Sequence, residues 1–270
     1  MIIGNKVFDT KNHTYIMGIL NVTPDSFSDG GNYTAIDKAL FRVEEMIKEG
    51  MDIVDIGGES TRPGYQQITD EEEIERVVPI IEQVRARFDV PISLDTYKSQ
   101  VAYHGIKAGA DMINDIWGLK ADDKMAQVIA KGKVPCCLMH NRKEQEYDFF
   151  VEDVCNDLKG SIKLAIDAGI SKENIMLDPG VGFAKSYQQN LEIIRNIEKV
   201  TSLEYPVLLG VSRKSVIGLS LDLPVEERLN GTLALSAYGM MKGCAFLRVH
   251  DIRQNKEVVR MLEAVASMGI

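Results

Sequence analysis

Short apolar runs of strand length alternate with longer amphipathic stretches along nearly the whole chain, and this alternation limits the fold more than any other feature. After a hairpin at Ile2–Thr14, strands are expected at Tyr15–Leu20, Ile53–Ile56, Pro91–Leu94, Asp111–Asn114, Val134–Met139, Asn174–Leu177, Pro206–Leu209 and Ala245–Val249. Between and after them, helical periodicity covers Ile36–Glu49, with apolar residues at Ile36, Leu40, Val43 and Ile47. It recurs from a Thr69/Glu72 capping box to about Phe88, and again at Ser99–Ala108, Asp122–Lys131, Phe150–Ala168, Tyr187–Val200, Glu226–Met241 and Lys256–Met268. Each crossover is long enough to return the chain for parallel pairing. An open doubly wound sheet gives a similar alternation. Eight units in 270 residues, with no G-x-G-x-x-G after the first strand, favour instead a closed (β/α)8 TIM barrel preceded by an N-terminal β-hairpin. No linker or low-complexity segment marks a boundary, so residues 1–270 read as a single domain.

The charge balance narrows the partners. Against 31 Lys and Arg stand 40 Asp and Glu, a formal charge of −9, which argues against nucleic acid because phosphate backbones are bound by clustered positive charge. It leaves room for an anionic small substrate, which needs only a local basic pocket. Cys136, Cys137, Cys155 and Cys244 have no C-x-x-C spacing, so buried reduced thiols are expected rather than zinc or a disulfide framework. The N-terminus lacks the pattern of a secretion signal, and no apolar run approaches the ~20 residues that span a bilayer. A cytoplasmic protein with no membrane partner is expected.

In such a barrel the chemistry sits over the C-terminal strand ends. Those ends carry Asn21, Asp55, Asp95, Asn114-Asp115, Met139-His140, Asp178, Ser212-Arg213-Lys214, and Arg248 with His250-Asp251. A ring of polar groups at one rim is far less ordinary than any single one. Asp95, Asn114 and Asp178 form an expected acceptor-rich floor, suited to a ligand that presents an N–H and an NH2 side by side; a structural Lys or Arg is the alternative partner. Lys214, Arg248 and His250 form an expected cationic rim near the place where barrels often bind phosphate. The loops NVTPDSFSDGG and GGESTRPG are long, polar and rich in Gly, Pro and Ser, as expected of segments that fold over a site. These residues point to a barrel enzyme acting on a polar heteroaromatic, phosphorylated ligand.

At these positions the chain resembles the dihydropteroate synthase family, through MGILNVTPDSFSDGG, DIGGESTRPG, PISLDT, INDIWG, LMHNR, LDPGVGFAK, LLGVSRKS, NGT and LRVHD in order from residue 17 to residue 251. The resemblance implies condensation of a pterin diphosphate with p-aminobenzoate in folate synthesis, and a target for sulfonamides. It implies a pterin pocket of Asp95, Asn114, Ile116, Met139, Asp178, Lys214 and Arg248, of which Asp95, Asp178, Lys214 and Arg248 carry the catalysis. It places the diphosphate on Asn21, Arg248 and His250, with Asn21 also contacting Mg2+. It places p-aminobenzoate by Phe27, Thr61, Pro63, Phe183, Lys214 and Ser215, and implies a homodimer through late helices. Three rivals remain at this stage: a pterin-dependent corrinoid methyltransferase domain, a Schiff-base aldolase using Lys214, and a non-catalytic pterin-binding barrel. The charged stretch after His140 is assigned to neither substrate, and Trp117 reads equally as pocket wall or core.

Overall fold

The computed structural model describes residues 1–22, 35–59 and 67–267. The chain opens with a hairpin of β1 (Ile2–Ile3) and β2 (Lys6–Val7), turned through Gly4 at φ 61°, where a Cβ would lie 2.8 Å from the Asp111 carboxyl. The remaining strands are β3 (Tyr15–Asn21), β4 (Ile53–Gly57), β5 (Ile92–Asp95), β6 (Met112–Asp115), β7 (Cys136–Met139), β8 (Ile175–Asp178), β9 (Leu208–Leu209) and β10 (Phe246–Val249). They pair in parallel in the order β8-β7-β6-β5-β4-β3-β10-β9, and a parallel bridge from Leu177 to Val207 joins the two ends. The expected barrel with its hairpin is therefore present.

Helices α1 (Ala35–Glu49), α2 (Asp70–Arg87), α3 (Ser99–Ala108), α4 (Met125–Gly132), α5 (Phe150–Asp167), α6 (Tyr187–Arg195), α7 (Glu198–Thr201), α8 (Ser215–Leu221), α9 (Leu229–Met241) and α10 (Ile252–Ser267) cover the outside. The helix expected over Tyr187–Val200 is broken in two at Asn196, whose side chain turns back onto the Glu192 carbonyl. A short helix, α8, also precedes the expected one after strand seven. At Thr69 only half of the capping box forms. Its hydroxyl accepts from the Glu72 amide, while the Glu72 carboxylate pairs with Arg76. The complete box is at Ser186 and Gln189, at the start of α6.

Because side chains alternate across a strand, the barrel sorts its residues into two shells. Ile16, Val54, Leu94, Ile113, Leu138, Leu177 and Leu247 face outward and pack with Leu40, Val43, Val77, Ile81 and Leu158 of the helices. Met17, Ile53, Met112, Cys137, Met176, Leu208 and Phe246 face inward and fill the N-terminal end, where Ile3 and Phe8 plug the barrel. Phe8, Tyr15 and Phe246 stack there with ring centroids 4.8–5.7 Å apart. One pleat further along, the inward positions include Asp55, Asn114, Asp178 and Arg248 beside Met139 and Gly210, and they form the mouth.

Phe246 is fully buried at the junction of plug and barrel. Phe246→Ala should lower the unfolding free energy by about 3–5 kcal/mol, the usual cost of emptying a large core site. Urea denaturation checks this, and a loss below about 1 kcal/mol would show that the plug does not pack as a core.

Candidate active site

Strand register brings the polar ends together. Asn21 pairs across to Gly57, Gly57 to Asp95, Asp95 to Asn114, and Met139 to Asp178. Asp95, Asn114, Ile116, Met139, Asp178, Phe183, Gly210, Lys214 and Arg248 line one pocket in the mouth. Eight residues expected in the site are thus gathered around a single cavity. Asn21 stands exposed at the end of β3. His250 is half-buried beside the mouth, with Nδ1 3.0 Å from Ser212 Oγ. Ser215 is exposed at the start of α8 and does not line the pocket. Phe27, Thr61 and Pro63, and the expected folding of their two loops over the site, lie outside the described residues.

The expected separation into an acidic floor and a cationic rim does not hold for Arg248. Its guanidinium reaches down into the floor, donating from Nε to Asp55 Oδ2 and from Nη2 to Asp95 Oδ2, each at 2.6 Å. Asp55 is fully buried and also accepts from Asn114 Nδ2 at 3.3 Å. Sequence reading placed Asp55 at a strand end but gave it no role. Its inward position between Ile53 and Gly57 was visible in the pleat, but its partner 193 residues away was not.

One guanidinium cannot fully compensate two desolvated carboxylates. Burial pushes the Asp95 carboxyl up to about 7, against the pull of Arg248 and with the push of Asp55. Burial likewise works against the charge on Arg248, but Asp55 and Asp95 hold its pKa above the ordinary guanidinium value. Asp178 is also raised by burial, opposed by Lys214 and by the Gly180 amide, which donates to its Oδ1 at 2.7 Å. Lys214 is lowered to about 8 by burial, with Asp178 opposing. Its ammonium donates to the Val181 carbonyl and lies 4.9 Å from the centre of the Phe183 ring.

Among the described residues, Asp95 Oδ1 and Asp55 Oδ1 are buried and have no hydrogen-bond partner. Orphaned buried acceptors are costly, and in a pocket they mark where ligand donors fit. Asp115, next to Asn114, faces the other way and caps its own loop through the Trp117 and Leu119 amides. His140 is also outside the pocket, buried against Asp157 and Lys185. Trp117 packs with Tyr97, Ile116, Met139 and Phe183 in a small apolar cluster at the mouth. All four cysteines are buried free thiols. No helix among the described residues is long and apolar enough to cross a membrane.

The barrel and its acid-lined mouth define a pterin-binding enzyme: residues 17–250 match the family model described as pterin binding enzyme. A dihydropteroate synthase of Clostridium beijerinckii is 57% identical over 98% of this chain and 99% of its own. A crystal structure of dihydropteroate synthase from Clostridium difficile in the presence of pteroic acid superimposes with a TM-score of 0.93, at 46% identity over 96% of this chain and 99% of that one. A Xanthomonas albilineans dihydropteroate synthase with 4-aminobenzoic acid gives a TM-score of 0.91, at 39% identity over 95% and 94% of the two chains. The chain belongs to the dihydropteroate synthase family.

The raised Asp95 sets a sign for stability against pH. A carboxyl that holds its proton to about 7 when folded, against an ordinary 3.8, stabilises the fold fully below about 4 and loses that contribution as pH rises through 7. The stability of the wild type relative to Asp95→Asn should therefore fall between pH 4.5 and 7.5. Urea midpoints of both proteins measure it, and a difference that does not change with pH would contradict the assignment.

Proposed function

We infer that the chain is a dihydropteroate synthase that joins 6-hydroxymethyl-7,8-dihydropterin diphosphate to p-aminobenzoate, giving 7,8-dihydropteroate and diphosphate. The observation that carries the reading is the convergence of Asp95, Asn114, Asp178, Lys214 and Arg248 on one cavity that holds an orphaned buried carboxylate oxygen. A pterin edge offers adjacent N–H and NH2 donors. Asp95 and Asp178 would accept them, and the donated hydrogen bonds would favour the ionised form that burial alone disfavours. Asn114, Ile116 and Met139 would wall the ring, with Arg248 and Lys214 against its other sides.

The reaction breaks the bond between the exocyclic methylene carbon and the diphosphate oxygen, and the electron pair leaves with the diphosphate. The resulting carbon cation is spread over the pterin ring, beside Asp95 and Asp178, whose negative charge is worth more to it than to the neutral ground state. The arylamine nitrogen then forms the new bond and sheds a proton to solvent. A neutral amine traps such a cation without a dedicated base. Asn21, Arg248 and His250 would hold the diphosphate. p-Aminobenzoate would lie toward the surface by Phe183, Lys214 and Ser215, with Phe27, Thr61 and Pro63 from the two early loops.

Among the described residues no group of three His, Cys, Asp or Glu side chains could cage a metal. The donor set suits Mg2+ only as an ion held mainly by phosphate oxygens and water, with the Asn21 amide oxygen adding one ligand. Bound in that way, Mg2+ would supply charge neutralisation for the leaving group. We also take residues 1–270 as one domain of a cytoplasmic homodimer. Four buried thiols suit a reducing compartment, and exposed Leu219, Leu221, Met241, Met261 and Val265 on the late helices suit pairing of two copies.

Asp178→Asn keeps an acceptor for the Gly180 amide but removes the charge. It should reduce kcat/KM by about 100-fold or more, the scale of losing one group that stabilises transition-state charge, while the thermal midpoint stays within a few degrees. Diphosphate release in the presence of p-aminobenzoate measures it, and undiminished kcat/KM would remove Asp178 from the mechanism.

A further inference from the structure

The loop 180–185 between β8 and α6 carries Phe183 into the pocket, and every one of its residues is tied to a neighbour. The Gly180 amide donates to Asp178, and the Val181 carbonyl accepts from Lys214. The Gly182 amide donates to Asn190 Oδ1 at 2.5 Å, and Asn190 Nδ2 returns to the Lys185 carbonyl at 3.2 Å. Gly180, Gly182 and Ala184 all have positive φ, at 69°, 87° and 46°. For Ala184 this is a strained conformation that persists only where its surroundings over-determine it. At Gly180 a Cβ would lie 1.9 Å from the His140 carbonyl oxygen, so the loop rests directly on the backbone that follows β7.

Two side-chain ties come from that neighbouring segment, 140–149. Lys185, 6% exposed, turns its ammonium back under its own loop and donates to Gly180 O at 2.9 Å, Phe183 O at 3.0 Å and His140 Nδ1 at 2.8 Å. The Asp157 carboxylate on the far side of the ring only accepts, so the His140 proton sits on Nε2 and Nδ1 accepts from Lys185. Nε2 faces Asp157 Oδ2 of α5 at 3.0 Å, and the same oxygen takes Arg142 Nε at 2.6 Å. Arg142 lies over the Tyr147 ring, 4.4 Å from its centre, and the Tyr147 hydroxyl donates to the Ala184 carbonyl at 2.8 Å. The three donors of the ammonium meet three acceptors, two of them on the backbone flanking Val181 and Gly182. The Phe183 side chain is left to project into the pocket.

We propose that Lys185, braced by His140 and Asp157 and assisted by Tyr147, is a positioning residue that sets the Phe183 ring in the arylamine side of the pocket. The segment 140–149, which includes most of the charged stretch after His140 that sequence alone left unassigned, is then the buttress of the loop 180–185. This rests on the placing of p-aminobenzoate by Phe183. A residue acting through Phe183 should alter arylamine affinity and leave the chemical step, carried by Asp178 on β8, nearly intact.

The test compares Lys185→Met, Tyr147→Phe and Phe183→Ala by steady-state kinetics and by the emission of Trp117, the single tryptophan, which packs in the same apolar cluster as Phe183. Lys185→Met should raise KM for p-aminobenzoate about 10-fold or more, and Tyr147→Phe about 3-fold, with kcat and the KM for pterin diphosphate within about twofold. Both should shift Trp117 emission. If Lys185→Met fails to fold, Tyr147→Phe, which loses one hydroxyl, decides the matter. Unchanged KM in the folded variants while Phe183→Ala raises it would overturn the proposal. If Phe183→Ala itself leaves KM unchanged, the arylamine reading of Phe183 fails. The positioning role is then judged by Trp117 alone, a shift supporting it and an unshifted spectrum overturning it.

Discussion

The mouth of the barrel is organised around one guanidinium held between two carboxylates. Arg248 enters from β10, Asp55 from β4 and Asp95 from β5, and Asp55 is wholly cut off from solvent. Ionised groups in such a place are tolerable only with close partners, because removal from water costs several kcal/mol per charge. The interaction joins strands far apart in sequence but close around the barrel, and it works only if each strand turns its polar residue inward near the same end of the barrel. The fully parallel register from β8 round to β9 delivers that alignment. A one-residue slip of any strand would turn its polar residue outward into the apolar shell against the helices.

Much of this was legible in the sequence, and the parts that were not share a cause. Strand-length apolar runs marked all the barrel strands, because strands packed on both faces leave a continuous signal. The helical period marked the principal helices. The break at Asn196 was missed because apolar spacing continues through Leu191, Ile194, Ile197 and Val200, while the side-chain hydrogen bond that goes with it is a local effect. Helix α8 is only seven residues long, too brief for periodicity to register. In the site, the residue types and their strand-end placing were readable, and eight of the expected residues line the cavity. The pairings were not. Nothing in the segment IVDIG says that its aspartate meets an arginine near the other end of the chain, or that Lys185 in GFAK folds back beneath its own loop.

Lys185 and Lys214 show how two lysines on loops of the same barrel mouth acquire opposite uses. Lys185 is buried and Lys214 half-buried, and desolvation pushes both down, to about 7 and about 8. Lys185 has its three donors met by acceptors of the loop and its buttress, and it lies beneath the pocket surface. Lys214 points into the cavity, with Asp178 as its main favourable charge and the Phe183 ring beside it. The first lysine therefore fits a scaffold role and the second fits contact with ligand. Charge and residue type do not separate them; the number of donors already engaged does.

The charge count of the mouth bears on the proposed chemistry. Asp55, Asp95 and Asp178 face Arg248 and Lys214, so with all groups ionised the carboxylates exceed the cations by one. Burial, with Asp55 adding to it, raises Asp95 to about 7, and a proton held there relieves that excess. A bound heterocycle that donated to Asp95 would tip the balance toward the carboxylate, and a positive charge spreading through the ring would tip it further. On the proposed mechanism that surplus would be best matched when diphosphate has begun to depart, which is the moment at which catalysis requires it.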